Sequence, residues 1–236
     1  MKLKTTLLAT IASVSASHAA LVSVNLTNTN GPRQIQSGES TGVISTTDWA
    51  NVSSSTTNIS GSGVDATLAG TISASNTLRD GAPADGTDGF LALFEGGLKD
   101  STAGSATDTS ITLSNLSALL AAEGHTSYRI IAYYKSAVNV TTADSFQLQL
   151  DSNSPIVINT PDNSNISASD SFVEFDSAEN NWMEFTNLTS DTATIAVNRI
   201  SRDGVLVGLQ LETVPEPSST ALLGLGGLAL IMRRRK

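Results

Sequence analysis

Along most of the chain, hydrophobic positions recur at every second residue in short runs, broken by clusters of Gly, Asn, Asp, Ser and Pro. Phe146, Leu148 and Leu150 alternate with Gln147 and Gln149, while Val205, Val207, Leu209 and Leu211 are set against Gly208 and Gln210. A period of two sends successive side chains to opposite faces of a strand, so each run is predicted to have one dry face and one wetter one. Strand-like segments are Val22–Leu26, Val64–Ile72, Phe90–Phe94, Ser110–Leu113, Tyr128–Tyr134, Ser145–Leu150, Ile156–Ile158, Phe172–Phe175, Trp182–Phe185, Thr192–Val197 and Val205–Leu211. Many short strands with turn residues between them predict an all-β protein built as a β-sandwich or barrel. One stretch departs from this period: over Ser114–Glu123, Leu116, Leu119 and Leu120 share one side of a helix that Gly124 stops. No internal repeat or linker interrupts the body, which predicts a single domain.

The two ends have a different pattern. Lys2 and Lys4 precede an apolar stretch, Leu7–Val14, and a small-x-small site at Ser17-His18-Ala19. This predicts a secretory signal peptide cut between Ala19 and Ala20, with export through the general secretory machinery. At the other end, Pro215-Glu216-Pro217 is followed by the apolar and glycine run Ala221–Met232 and then by Arg233, Arg234, Arg235 and Lys236. Even with Ser218–Thr220 the apolar segment reaches only about fifteen residues, below the roughly 17–25 of a comfortable membrane span. The four terminal cations hold their end on the cytoplasmic side, because carrying them across lipid is costly, and so place the body outside. Pro215 and Pro217 keep the approach to the helix extended.

Taken in order, these tail features resemble the PEP-CTERM sorting signal of Gram-negative, often biofilm-forming bacteria. The resemblance covers about a tenth of the chain. It implies transient insertion of the helix in the inner membrane, recognition of Pro215, Glu216 and Pro217 by an exosortase, a membrane cysteine transpeptidase-like enzyme, and transfer to the cell surface or extracellular matrix. Residues 1–19 are then the signal peptide, 20–213 the β-sandwich domain, and 214–236 the sorting signal. A weaker resemblance concerns the body. Ser23-Val24-Asn25-Leu26, Gly42-Val43-Ile44 leading to Trp49-Ala50-Asn51, Tyr128–Tyr134 and the closing Val207–Leu211 look like extracellular jelly-roll domains of PEP-CTERM proteins of verrucomicrobial type. Those are similar in layout to galactose-binding-like and carbohydrate-binding modules, and imply a closing strand beside the first with the termini at one end.

Charge narrows the partners. Between Ala20 and Val214 there are seven basic and 21 acidic residues, a net charge of about −14. That surface repels nucleic acid and anionic headgroups, both polyanions bound through Lys and Arg. With 0 cysteines the chain has neither disulfide nor thiolate chemistry.

Candidate chemistry is sparse. His125 is the one histidine of the body, which removes multi-histidine metal sites; next to Gly124 at a helix end it reads as a structural residue facing terminal carbonyls. No nucleophile elbow, phosphate loop or zinc-protease motif is present. Asp80, Asp85 and Asp88, interleaved with glycines, offer hard oxygens to Ca²⁺, although their spacing departs from an EF-hand and a solvated turn is the simpler alternative. Tyr133 has opposite parity to Tyr128, Ile130, Ala132 and Tyr134, so Tyr133 and Trp182 are the rings available as an outward platform for sugar, although in a sandwich poor in aromatics such rings are normally core anchors with a satisfied polar tip. The expected function is therefore a surface-sorted, non-enzymatic envelope or matrix protein, structural or weakly binding extracellular polysaccharide. The alternative is a polysaccharide-acting hydrolase with paired carboxylates.

Overall fold

The computed structural model describes residues 18–27, 34–53, 56–59, 61–69, 93–94, 96–99, 109–136, 144–160, 172, 174, 181–200 and 204–215. Within them the chain forms the strands and helix β1 (Leu21–Leu26), β2 (Trp49–Val52), β3 (Thr56–Asn58), β4 (Asp65–Ala69), β5 (Leu98–Lys99), β6 (Ser110–Ser114), α1 (Leu116–Glu123), β7 (Ser127–Ser136), β8 (Asp144–Leu150), β9 (Ile156–Thr160), β10 (Trp182–Leu188), β11 (Ala193–Arg199) and β12 (Gly204–Val214), besides helical residues at Leu93 and Phe94. One sheet runs β10-β7-β12-β1-β2, with β5 also paired to β12; the other runs β3-β4-β6-β11-β8-β9. All ladders are antiparallel except β1 with β2.

The sheets face each other across the main core. Val22, Val24, Leu26, Ile130, Ala132, Tyr134, Leu209 and Leu211 of the first meet Ala66, Ile111, Leu113, Phe146, Leu148, Leu150, Ile195 and Val197 of the second. Each fully buried aliphatic or phenylalanine side chain in such a layer contributes about 1.5–3 kcal/mol, which fixes strand register because a slip of one residue would turn the set outward. β8 has the expected form, with Phe146, Leu148 and Leu150 buried and Gln147 and Gln149 at the wetter face. Helix α1 closes the core with Leu116, Leu119 and Leu120. It begins two residues later than Ser114 because Ser114 belongs to β6. Asp191 caps it from another loop: its carboxylate accepts Ser117 N–H at 2.9 Å and its carbonyl accepts Leu116 N–H at 3.1 Å. Gly124 ends it in the left-handed conformation (φ 70°), and His125 N–H reaches back to Leu120 O at 2.9 Å.

β12 corrects the simple alternation. A bulge lies between Leu206 and Gly208, where the partners step only from Tyr134 to Tyr133. One extra residue flips the side-chain parity. Val205 and Val207 therefore join a second hydrophobic cluster on the outer face of the first sheet, with Ile35, Trp49, Leu93, Phe94, Ile131 and Tyr133, while Leu206, Leu209 and Leu211 enter the main core. The predicted wetter face of this strand is dry: Gly204 to Leu211 are all buried. Gly208 makes the crossing possible, since a Cβ there would stand 2.7 Å from Val24 O and 2.7 Å from Leu93 Cδ1. Two expected strands differ. Leu93 and Phe94 are helical, and of Phe172–Phe175 the described residues show only an isolated bridge from Glu174 to Trp182.

Candidate functional site

Ala20, the residue at which the sequence predicts the body to begin, meets Thr213 near the end of the last strand. β1 and β12 pair antiparallel with Leu21 opposite Glu212, and the next step brings Ala20 against Thr213. Ala20 N–H donates to Thr213 Oγ1 at 2.8 Å, and Thr213 N–H donates to Ala20 O at 2.9 Å. On its other side β12 pairs with β7 as far as Val214 opposite Ser127. Pro215, which has no N–H to continue a ladder, follows at once and is exposed. Glu216, Pro217, Arg233, Arg234, Arg235 and Lys236 lie outside the described residues. Ala19 and Ala20 are partly buried beside Thr213. His125 is turned to the same place: its Nδ1 is 2.7 Å from Thr213 Oγ1, rather than on the terminal carbonyls of α1. Thr213 and His125 are both buried, a pairing that strand and helix periods cannot show.

Tyr133 is a core anchor with a satisfied hydroxyl, the alternative set beside the sugar platform in the sequence. Parity does place Tyr133 on the outer face, but the segment around residues 34–48 covers that face and leaves Tyr133 0% exposed. Phe172, Trp49 and Phe94 surround it, with ring centroids 5.3, 6.1 and 6.5 Å away. Burial raises the phenol pKa well above its ordinary value. Its hydroxyl accepts Val43 N–H at 2.7 Å and donates to Gln210 Oε1. Trp182 is partly buried against the same cluster.

Two side-chain amides hold the cover in place. Gln210 Oε1 accepts Ile44 N–H at 3.1 Å while Nε2 donates to Ile44 O at 2.7 Å. Asn51 repeats the arrangement on Ile35, accepting its N–H at 3.1 Å and donating to its carbonyl at 2.9 Å. Each amide behaves as a strand neighbour to one peptide, satisfying groups that burial would otherwise penalise. Farther along this face Arg129 bridges β10 and β12, with Nη1 2.8 Å from Glu184 and Nη2 2.5 Å from Glu212. The hydrogen bond to Glu184, joined by that to Glu212, raises the Arg129 pKa above its ordinary value against the opposing effect of partial burial.

Asp80, Asp85 and Asp88 lie outside the described residues; among those described, no group of three or more acidic or histidine side chains is placed to hold a metal. A cleft of about 280 Å³ opens beside β1, lined by Ala20, Asp48, Trp49, Ile59, Leu119 and Glu123 among others. No described helix is long and apolar enough to cross a membrane, and Ala221–Met232 lies outside the described residues.

Residues 213–236 match the PEP-CTERM protein-sorting motif family. The chain carries a PEP-CTERM sorting motif. Its presence implies an exported, surface-sorted protein, processed at the membrane and recognised by exosortase. The matched segment starts on Thr213, so the PEP-CTERM motif is joined to the β-sandwich with no spacer. Neither any curated protein nor any solved structure matches the chain.

Proposed function

We propose that the body is a non-enzymatic structural domain of the cell envelope or extracellular matrix, jelly-roll-like in layout, delivered by a cleaved signal peptide and the PEP-CTERM tail. The carrying observation is the use of the outer-face amides. Asn51, Gln210 and Tyr133 have the hydrogen-bonding groups and ring that a sugar site uses, yet each is engaged with the chain's own backbone at residues 35 and 43–44. A sheet face sealed in this way supports a rigid building block; polysaccharide contact, if made, falls to weaker rim groups such as Trp182. The adjacency of β1 and β12 supports the jelly-roll layout, because first and last strands lie side by side.

The test has two arms. A glycan array and a reducing-sugar assay on the exported protein should both be silent; tight glycan binding would replace the structural reading, and sugar release would install the hydrolase. Intact mass of the surface form should correspond to a chain starting at Ala20 and lacking Arg233–Lys236. Retention of those four cations would remove the sorting step from the proposal.

A further inference from the structure

The peptide nitrogen of Ala20 occupies an unusual position. It donates to Thr213 Oγ1 at 2.8 Å, and that oxygen stands 2.7 Å from His125 Nδ1. Once Ala20 N–H is accepted by Oγ1, the hydroxyl's own proton is free to go to Nδ1, so Thr213 relays between the start of the body and His125, just past the Gly124 cap of α1. Ala20 also lines the 280 Å³ cleft whose walls include Asp48, from the turn before β2, and Glu123, the last residue of α1. The C-terminus of a helix carries partial negative charge, and α1 has no basic residue in its last turn to offset it. Glu212, the next carboxylate on β12, is engaged by Arg129 on the outer face. The start of the domain therefore borders a cleft whose lining includes two acidic residues, Asp48 and Glu123, and no basic one.

Signal removal adds a positive charge beside this cleft. Hydrolysis of the Ala19–Ala20 bond gives Ala19 the hydroxyl of water as a carboxylate and leaves Ala20 with an α-ammonium bearing three N–H groups in place of one. We propose that the α-ammonium created at Ala20 is a structural cation of the mature domain, clamping β1 to β12 through Thr213 and neutralising the Asp48, Glu123 and helix-end charge. One N–H keeps the bond to Thr213 Oγ1 while the others face the cleft. The strand fastened this way is the one that ends at Val214 and leads directly into Pro215. Cutting at the amino end thus firms the strand that presents the sorting motif.

The inference rests on cleavage after Ala19. It is tested with the full chain, exported and processed by its own host, against a variant with Gly-Ser-Gly inserted between Ala19 and Ala20. The same cut then leaves Ala20 as an amide and carries the ammonium three residues away. The native form should melt about 2–4 °C higher, the shift expected for a charge interaction at a helix end in a domain of this size. Glu123→Gln and Asp48→Asn should lower the melting temperature of the native form and leave the extended form unchanged, a difference that a merely structural role for these side chains does not produce. Equal melting temperatures, or equal effects of the two substitutions in both forms, overturn the ammonium clamp. Amino-terminal sequencing separates the premise: a start at Ala20 with no shift ends the clamp alone, and any other start ends both.

Discussion

The carboxamide of Gln210 closes a two-bond ring on the peptide of Ile44, 166 positions away in the chain. It also accepts the Tyr133 hydroxyl and donates to Ser23 Oγ at 3.2 Å, so one buried side chain ties β12, β7, β1 and the covering segment together. Replacing it with Leu keeps most of the volume but leaves Ile44 N–H, Ile44 O and the Tyr133 hydroxyl short of partners. The expected loss is about 2–4 kcal/mol, since unmade buried hydrogen bonds cost about 1–3 kcal/mol each and some groups find water. Urea denaturation measures it. Acrylamide quenching of Trp49 in a Trp182→Phe background should rise as the cover loosens.

Gly42 makes the same contact from the other side. It has φ +98°, and a Cβ there would lie 2.7–2.8 Å from the Gln210 carboxamide. Gly42→Ala should therefore destabilise more than Gly38→Ala, where φ is +95° but no atom lies within 4 Å. The second substitution carries only left-handed strain, roughly 1–2 kcal/mol. Equal losses by denaturation would mean that the Gln210 contact adds nothing.

Gly208 sits at the β12 bulge with the Val24 carbonyl 2.7 Å from where its Cβ would be. Gly208→Ala should cost about 1–3 kcal/mol through overpacking. Adding Leu93→Ala should recover little, because the backbone oxygen of Val24 cannot yield as a side chain can. Thermal melts of the single and double variants check this.

The three tyrosines should titrate late and with unfolding. Burial, assisted by Asp151 and Asp191, pushes Tyr128 up to about 12, and burial raises Tyr133 and Tyr134 as well. A phenol whose folded pKa is raised contributes stability that is whole below its unfolded value, about 10, and is lost as pH climbs toward the folded one. Phenolate absorbance should stay flat to above pH 10 and then rise together with loss of the near-ultraviolet dichroism of the fold. A separate, earlier phenolate step would contradict it.

Arg129 is about a third exposed, so its bridge is partly screened. Arg129→Met, which leaves Glu184 and Glu212 facing each other across β7, should cost about 1 kcal/mol at low salt and less at high salt. Chemical denaturation at the two ionic strengths gives the comparison.

Much of the sandwich was legible because its determinants are local. Phe146, Leu148 and Leu150 alternate with glutamines, Leu116, Leu119 and Leu120 share a helix face, and Gly124 stops that helix, all as the chain order dictates. The sorting motif was legible for a related reason: its prolines, apolar run and cations are contiguous, so the whole pattern stands in one stretch of chain. Period alone could not show that β12 carries an extra residue, since the Val205–Leu211 alternation looks unbroken until its partners, Tyr134 and Tyr133, are known. Nor could it show that Tyr133 is covered. Its parity points outward, and only the long-range bonds from Gln210 and Asn51 to the peptides of Ile44 and Ile35 decide that outward is not exposed. What sequence determined by itself was the class of the chain, its acidic β-rich body and its address, because these follow from spacing and charge along one dimension. Tertiary structure decided the sealed outer face and the meeting of Ala20, His125 and Thr213, because hydrogen bonds between groups 88 and 193 positions apart depend on how the sheets close.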